Sequence, residues 1–107
     1  MRDIPFVDVI AERALVLERA DGTTVDVALQ IGRPVPVPQY SIPSACPFRL
    51  VGLGREEKLY VVGEDSVQAL QLALTSQTMA SWLSITAKIH GGKFIAFGGT
   101  DHGFPGT

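Results

Sequence analysis

The chain predicts an α+β domain: an antiparallel meander of two β-hairpins with one long α-helix packed on one face. Three observations carry this expectation. Apolar stretches flank turn residues twice, over 10–31 and over 48–62. One stretch, 66–89, holds apolar residues at helical spacing between a start and a stop signal. Five of the seven prolines fall between the hairpins, in 32–47, where they forbid a helix. The expected order is four strands, the helix and a candidate fifth strand at the C-terminal end. Residues 1–107 are read as one domain, with 1–9 and 98–107 as peripheral tails.

The first two strands are residues 10–19 and 24–31. Val25, Val27, Leu29 and Ile31 alternate with Asp26, Ala28 and Gln30, which marks one buried face. A two-residue turn at Asp21-Gly22 would put Glu12 and Glu18 on that face and Leu15 and Leu17 outside. A three-residue loop, Ala20-Asp21-Gly22, reverses the faces, because a one-residue slip exchanges them. The bulged loop is therefore predicted, with Gly22 left-handed, Leu17 opposite Val25 and Leu15 opposite Val27.

Residues 32–47 read as a proline-rich extended excursion across one end of the sheet, a poor central strand because proline lacks a donor. Pro34, Pro36 and Pro38 are spaced by two, so the PxxP pattern of proline-recognition ligands is absent. The second hairpin pairs 48–53 with 58–62 around Gly-Arg-Glu-Glu, with Leu50 opposite Val61 and Val51 opposite Tyr60. Phe48, Leu50, Leu59 and Val61 then share one face. Arg49, Val51, Leu53, Tyr60 and Val62 share the other.

The helix is expected over 66–89. Asp65 is its N-cap, Gln68 completes a capping box, and Gly91 stops it. Val67, Leu70, Leu74, Met79, Trp82, Ile85 and Ile89 form the expected apolar stripe. Thr75-Ser76-Gln77-Thr78 is weak by propensity and marks a bend. Lys93–Phe97 is the candidate fifth strand.

Composition excludes several classes. Nine basic and eleven acidic residues give a net charge of −2, with no basic stripe for nucleic acid. Apolar runs fall short of the ~18–20 residues of a membrane span. Met1–Asp8 carries Asp3 and Asp8 and lacks the apolar core of a secretory leader. A single cysteine, Cys46, fits a reducing, cytoplasmic setting.

Five stretches occur in an order and spacing that resemble a group of small uncharacterised bacterial proteins. They are Ile-Ala-Glu-Arg at 10–13, Ile-Gly-Arg-Pro at 31–34, Cys-Pro-Phe-Arg-Leu-Val-Gly-Leu-Gly at 46–54, Gly-Glu-Asp-Ser-Val-Gln-Ala-Leu-Gln-Leu-Ala at 63–73 and Asp-His-Gly-Phe-Pro at 101–105. The resemblance spans roughly residues 10 to 105. It implies a bacterial origin and a small α+β domain. It carries over no activity and no site residue.

No reactive constellation stands out. His90-Gly91-Gly92 resembles an esterase oxyanion run, but no Gly-x-Ser-x-Gly accompanies it, and a helix stop explains it. Ser66 at the helix start is explained by capping. Gly52-Leu53-Gly54 lacks the helix that a phosphate loop requires. Asp101-His102 lies in a glycine-rich tail. Two histidines and one cysteine, far apart, make no zinc site. No cofactor, metal, nucleic-acid partner or membrane association is expected.

The surface is more informative. Val51, Leu53, Tyr60 and Val62 would form an apolar outer stripe, unlike Glu12, Glu18, Thr24, Asp26 and Gln30 on the first hairpin, and it calls for cover either by the proline-rich excursion or the tail or by a partner. A 24-residue helix of ~36 Å would overhang a strand of ~20 Å and leave Trp82, Leu83, Ile85 and Ile89 in need of cover. The leading expectation is a non-enzymatic interaction module that self-associates as a dimer and binds a protein partner. The alternative is a small-molecule-binding protein or modest enzyme, with a pocket between helix and sheet near Cys46, Arg49, Tyr60 and His102.

Overall fold

A computed structural model describes residues 4–96 and 99–104. Its elements are β1 (Val9–Arg19), β2 (Thr24–Gly32), β3 (Val35–Val37), β4 (Ile42–Val51), β5 (Glu57–Gly63), α1 (Ser66–Thr75), α2 (Gln77–Ile89) and β6 (Gly92–Ala96). The α+β class is as expected, with six antiparallel strands and two helices in place of four or five strands and one helix.

The first hairpin forms in the bulged register. Leu17 faces Val25 and Leu15 faces Val27. The Gly22 amide donates to the Arg19 carbonyl at 3.0 Å, and Gly22 has φ +88. The register follows from burial: Leu15, Leu17, Val27 and Leu29 are each at most 4% exposed.

The proline block departs from expectation. It does not lie across an end of the sheet. β3 and β2 pair with the same side of β4, Val35 opposite Ala45 and Ile31 opposite Phe48. So β3 continues β2 beyond a kink at Gly32–Pro34, and β4 runs through Pro43 and Pro47. Cys46 and Pro47 fall opposite the kink, where neither β2 nor β3 supplies a register partner. A proline without a donor is tolerated where the ladder is already interrupted. A β-carbon on Gly32 would stand 2.9 Å from Pro47 Cγ and 3.1 Å from the Phe6 ring, so any larger residue there must displace one or both rings. A 3-10 turn at Pro38–Tyr40 closes this long hairpin.

β4 and β5 pair with Phe48 opposite Leu59 and Leu50 opposite Glu57. The expected pairing is off by four residues because the loop begins earlier and takes in Leu53. A shift of four keeps the faces, so Phe48, Leu50, Leu59 and Val61 still share one side. The sheet therefore reads β6–β1–β2/β3–β4–β5, and the helices lead from the β5 edge to the β6 edge.

The expected single helix breaks at Ser76, whose backbone is extended (φ −77, ψ 159). Thr75 Oγ1 donates to the Gln71 carbonyl at 2.7 Å, the kind of local bond that competes with helix continuation. Asp65 caps α1, accepting from the Gln68 amide at 2.8 Å. The buried stripe is also not the expected one. Ala69, Ala73, Met79, Ala80, Leu83 and Ala87 face inward, while Val67, Ile85 and Ile89 are 72%, 59% and 66% exposed. The sheet already presents large side chains, so small helix residues fill the remaining volume. Leu17, Leu29, Phe48, Met79 and Leu83 are fully buried. Each such side chain contributes about 1.5–3 kcal/mol of burial. Among the described residues, the sheet face turned away from the helices carries a small second cluster of Val35, Val37, Ile42 and Ala45, with Ile4, Tyr40 and Tyr60 against it.

Candidate functional site

The open sheet face is organised in cross-strand rows. Ala14, Ala28 and Val51 form one row across β1, β2 and β4. Val16 and Asp26 form the row above, and β6 adds Ile95 opposite Val16. Together Ala14, Val16, Ala28 and Val51 line a shallow depression of about 560 Å³. Val51 is 46% exposed.

The row below is polar: Glu12, Gln30, Arg49 and Lys58. Gln30 Nε2 donates to Glu12 Oε2 at 2.8 Å, and Arg49 Nε donates to Gln30 Oε1 at 2.8 Å. The Arg49 guanidinium lies 4.0 Å from the centre of the Phe6 ring, a cation–π contact. Phe6 belongs to the segment before β1, which crosses this part of the sheet. Arg33 pairs with Asp8 at 3.2 Å and holds that segment down. Between the segment and the strands is a cavity of about 170 Å³, lined by Pro5, Phe6, Pro47, Arg49, Lys58 and Tyr60 among others. Lys58 Nζ is 3.3 Å from Glu56.

The fold thus brings Arg49 and Tyr60 together, on the open face and not between helix and sheet. It separates the other two pocket candidates from them. Cys46 is fully buried on the helix side, and its Sγ is 3.5 Å from the Gly32 carbonyl. Burial pushes its thiol up to about 11, which disfavours the thiolate a nucleophile needs. His102 is buried by the opposite edge, in a cavity of about 250 Å³ with Ser84, Ala87 and Phe94. Its Nδ1 accepts from the Phe104 amide at 3.1 Å, and its carbonyl accepts from Arg13 Nη1 at 3.1 Å. Arg13 also lies 4.4 Å from the Phe104 ring centre. Burial holds the imidazole below its usual value.

The stripe residues divide as well. Val51 and Val62 are exposed, at 46% and 43%. Tyr60 is half-buried against the second cluster, and Leu53 sits in the β4–β5 loop against the main core. On α2, Leu83 is fully buried. Trp82 is half-buried and meets Phe48 edge-on, with ring centres 5.1 Å apart. Ile85 and Ile89 alone of that group stand open. The broken helix removes the overhang on which the four were grouped. The expected strand end at Phe97 and the tail residue Pro105 lie outside the described residues.

One pairing has no counterpart in the sequence reading. His90, at the end of α2, bonds Glu57 at the start of β5, with Nε2 2.9 Å from Oε2. That bond, followed by Arg55, holds the Glu57 carboxyl below its usual range. The two residues are 33 apart and meet only because the helix end reaches the hairpin loop. No cluster of His, Cys, Asp and Glu among the described residues could hold a metal ion. No helix among them is long and apolar enough to cross a membrane.

No curated protein and no solved structure matches the chain. A family model does match, over residues 11–106, which takes in the sheet from β1 to β6, both helices and the His102 segment. The chain belongs to the family described as Domain of unknown function (DUF6968).

Proposed function

We propose that this protein is a non-enzymatic interaction module that self-associates through the open face of its sheet, by the row of Ala14, Ala28 and Val51. The observation that carries the reading is the asymmetry of the sheet. One face lies under two helices, and the other presents an apolar depression to water. Sheets stack face to face about 10 Å apart when small and large side chains interlock. Ala14 and Ala28 form a low floor beside the taller Val16 and Val51. A two-fold copy would set each Val51 on the other's alanine floor, using the same patch twice. Ile85 and Ile89 on α2 offer a second apolar surface for a different protein partner.

A bacterial origin and residence in the cytoplasm belong to the same reading. A lone, buried cysteine supports the latter, since it forms no disulfide within the chain and suits a reducing compartment.

Light scattering at micromolar concentration tests the proposal. The expected mass is that of two chains, and Val51→Lys should return it to one. Val51 is half exposed, so the lysine adds charge without opening the core. A chain that is monomeric at all concentrations, or a Val51→Lys chain that remains dimeric, refutes the proposal.

A further inference from the structure

We infer that the cavity beneath Phe6 binds a small organic carboxylate with an apolar body. The inference concerns a different part of the open face from the self-association row and does not depend on it.

Arg49 is the reason. Its Nε is taken by Gln30, which is itself held by Glu12, and its plane is covered by Phe6. Both contacts fix the guanidinium without neutralising it. Among the described residues no carboxylate pairs with Arg49: Glu12 is bonded to Gln30, Asp8 is paired with Arg33 and Glu56 with Lys58. A partly buried, oriented and unpaired guanidinium is a prepared anion site. Its two remaining nitrogens form a planar fork that suits a carboxylate in bidentate contact.

The rest of the cavity selects the body of the ligand. Pro5, Phe6, Pro47 and Tyr60 are apolar or aromatic surfaces, and Lys58 supplies a second cation at the rim. Glu56, paired with that lysine, disfavours a multiply charged anion. A volume of about 170 Å³ suits a ligand of the size of an arylacetate and excludes a nucleotide.

The probe is sodium phenylacetate, titrated into the ¹⁵N-labelled full chain and followed by NMR. Saturable amide shifts are expected at Ile4, Phe6, Phe48, Arg49 and residues 58–60, with a Kd on the order of 1 mM or tighter, a usual value for so small a ligand. Phenylacetamide, which lacks the charge, should bind at least about tenfold more weakly. Arg49→Gln should lose at least about tenfold, and Arg49→Lys, which keeps the charge and loses the fork, should fall between. Lys93→Gln, on the far edge of the sheet, should bind as the native chain does. Failure to saturate by about 10 mM overturns the inference. So do equal binding of acid and amide, or an Arg49→Gln chain that keeps its dispersed spectrum and its affinity. Inorganic phosphate that shifts the same residues as strongly as phenylacetate also overturns it, since the apolar walls would then select nothing.

Discussion

Gly63→Ala should cost far more than its single methyl group suggests. Gly63 ends β5 directly beneath the first turn of α1. A β-carbon there would come within 2.8 Å of the Ala69 Cα and 2.9 Å of the Gln68 carbonyl carbon, and closer still to the Ala69 amide. All three are backbone atoms in a helix whose own bonds are closed, including Ala69 N to the Asp65 carbonyl at 3.0 Å. No side chain can swing away, so the helix itself must lift from the sheet. Overpacking usually costs about 1–3 kcal/mol, and a rigid neighbour places this case at the upper end, near 3 kcal/mol. For a domain of this size that lowers Tm by roughly 12 °C. Gly22→Ala is the matched control. Nothing lies within 4 Å of its added carbon, so only the left-handed backbone at φ +88 resists. That penalty is about 1–2 kcal/mol. Urea titrations of both variants separate the steric from the torsional cost. A Gly63→Ala chain within about 0.5 kcal/mol of the native chain would refute the close seating of α1 on β5.

Other outcomes can be checked in the same assays. Ser76→Ala should be neutral or slightly stabilising, because the Ser76 hydroxyl is buried with no hydrogen-bond partner among the described residues and caps nothing. Asp65→Ala, by contrast, removes a formed cap and should cost about 1 kcal/mol. His102 has its pKa lowered in the folded chain, first by burial, with Arg13 opposing its charge and Asp101 favouring it. The unfolded chain therefore takes up the proton first, and stability present above the ordinary value of 6.5 should fall as pH drops below it. A urea midpoint that stays flat between about pH 8 and 5, or that moves no less in His102→Gln, would contradict this assignment. Cys46, with a thiol raised to about 11, should resist Ellman's reagent in the native chain and react once unfolded; rapid native labelling would show the site to be open.

Period two made the strand faces readable. It showed which residues of β1 and β2 are buried, and the need to bury Leu15 and Leu17 selected the bulged loop. The same logic survived the wrong β4–β5 pairing, because four is an even number. The path of β4 through Pro43 and Pro47 was not readable. Whether a proline fits a strand depends on what lies opposite, and the kink at Gly32–Pro34 is a tertiary fact. The break at Ser76 was visible only as a weak run of Thr, Ser and Gln. The inward face of the helices was hidden by size: alanines point in, where large sheet side chains leave little room, and Val67 points out. Arg49 and Tyr60 share the outward face of neighbouring strands, as alternation expects, but the cavity they line is on the open face and not between helix and sheet, where the pocket was expected. Cys46, three residues before Arg49 on one strand, necessarily faces the other way. Phe6, Gln30 and Lys58 were missed as site residues because nothing local places a leading segment over a distant strand.

The closing of the sheet by β6 sets a schedule for the growing chain. From β1 to β5 every pairing joins strands close in sequence, β1 with β2, β4 with β2 and β3, and β5 with β4, so most of the sheet can assemble as it emerges from the ribosome. The outer side of β1 is different. It receives Phe94 opposite Leu17 only after both helices have been made. Until then a long strand with exposed amides and carbonyls stands open to any other strand in the cell, including the β1 of a neighbouring nascent chain. The fold therefore leaves the outer side of its first strand unpaired longest, until the five-residue β6 covers Leu15–Arg19 and becomes the new edge of the sheet.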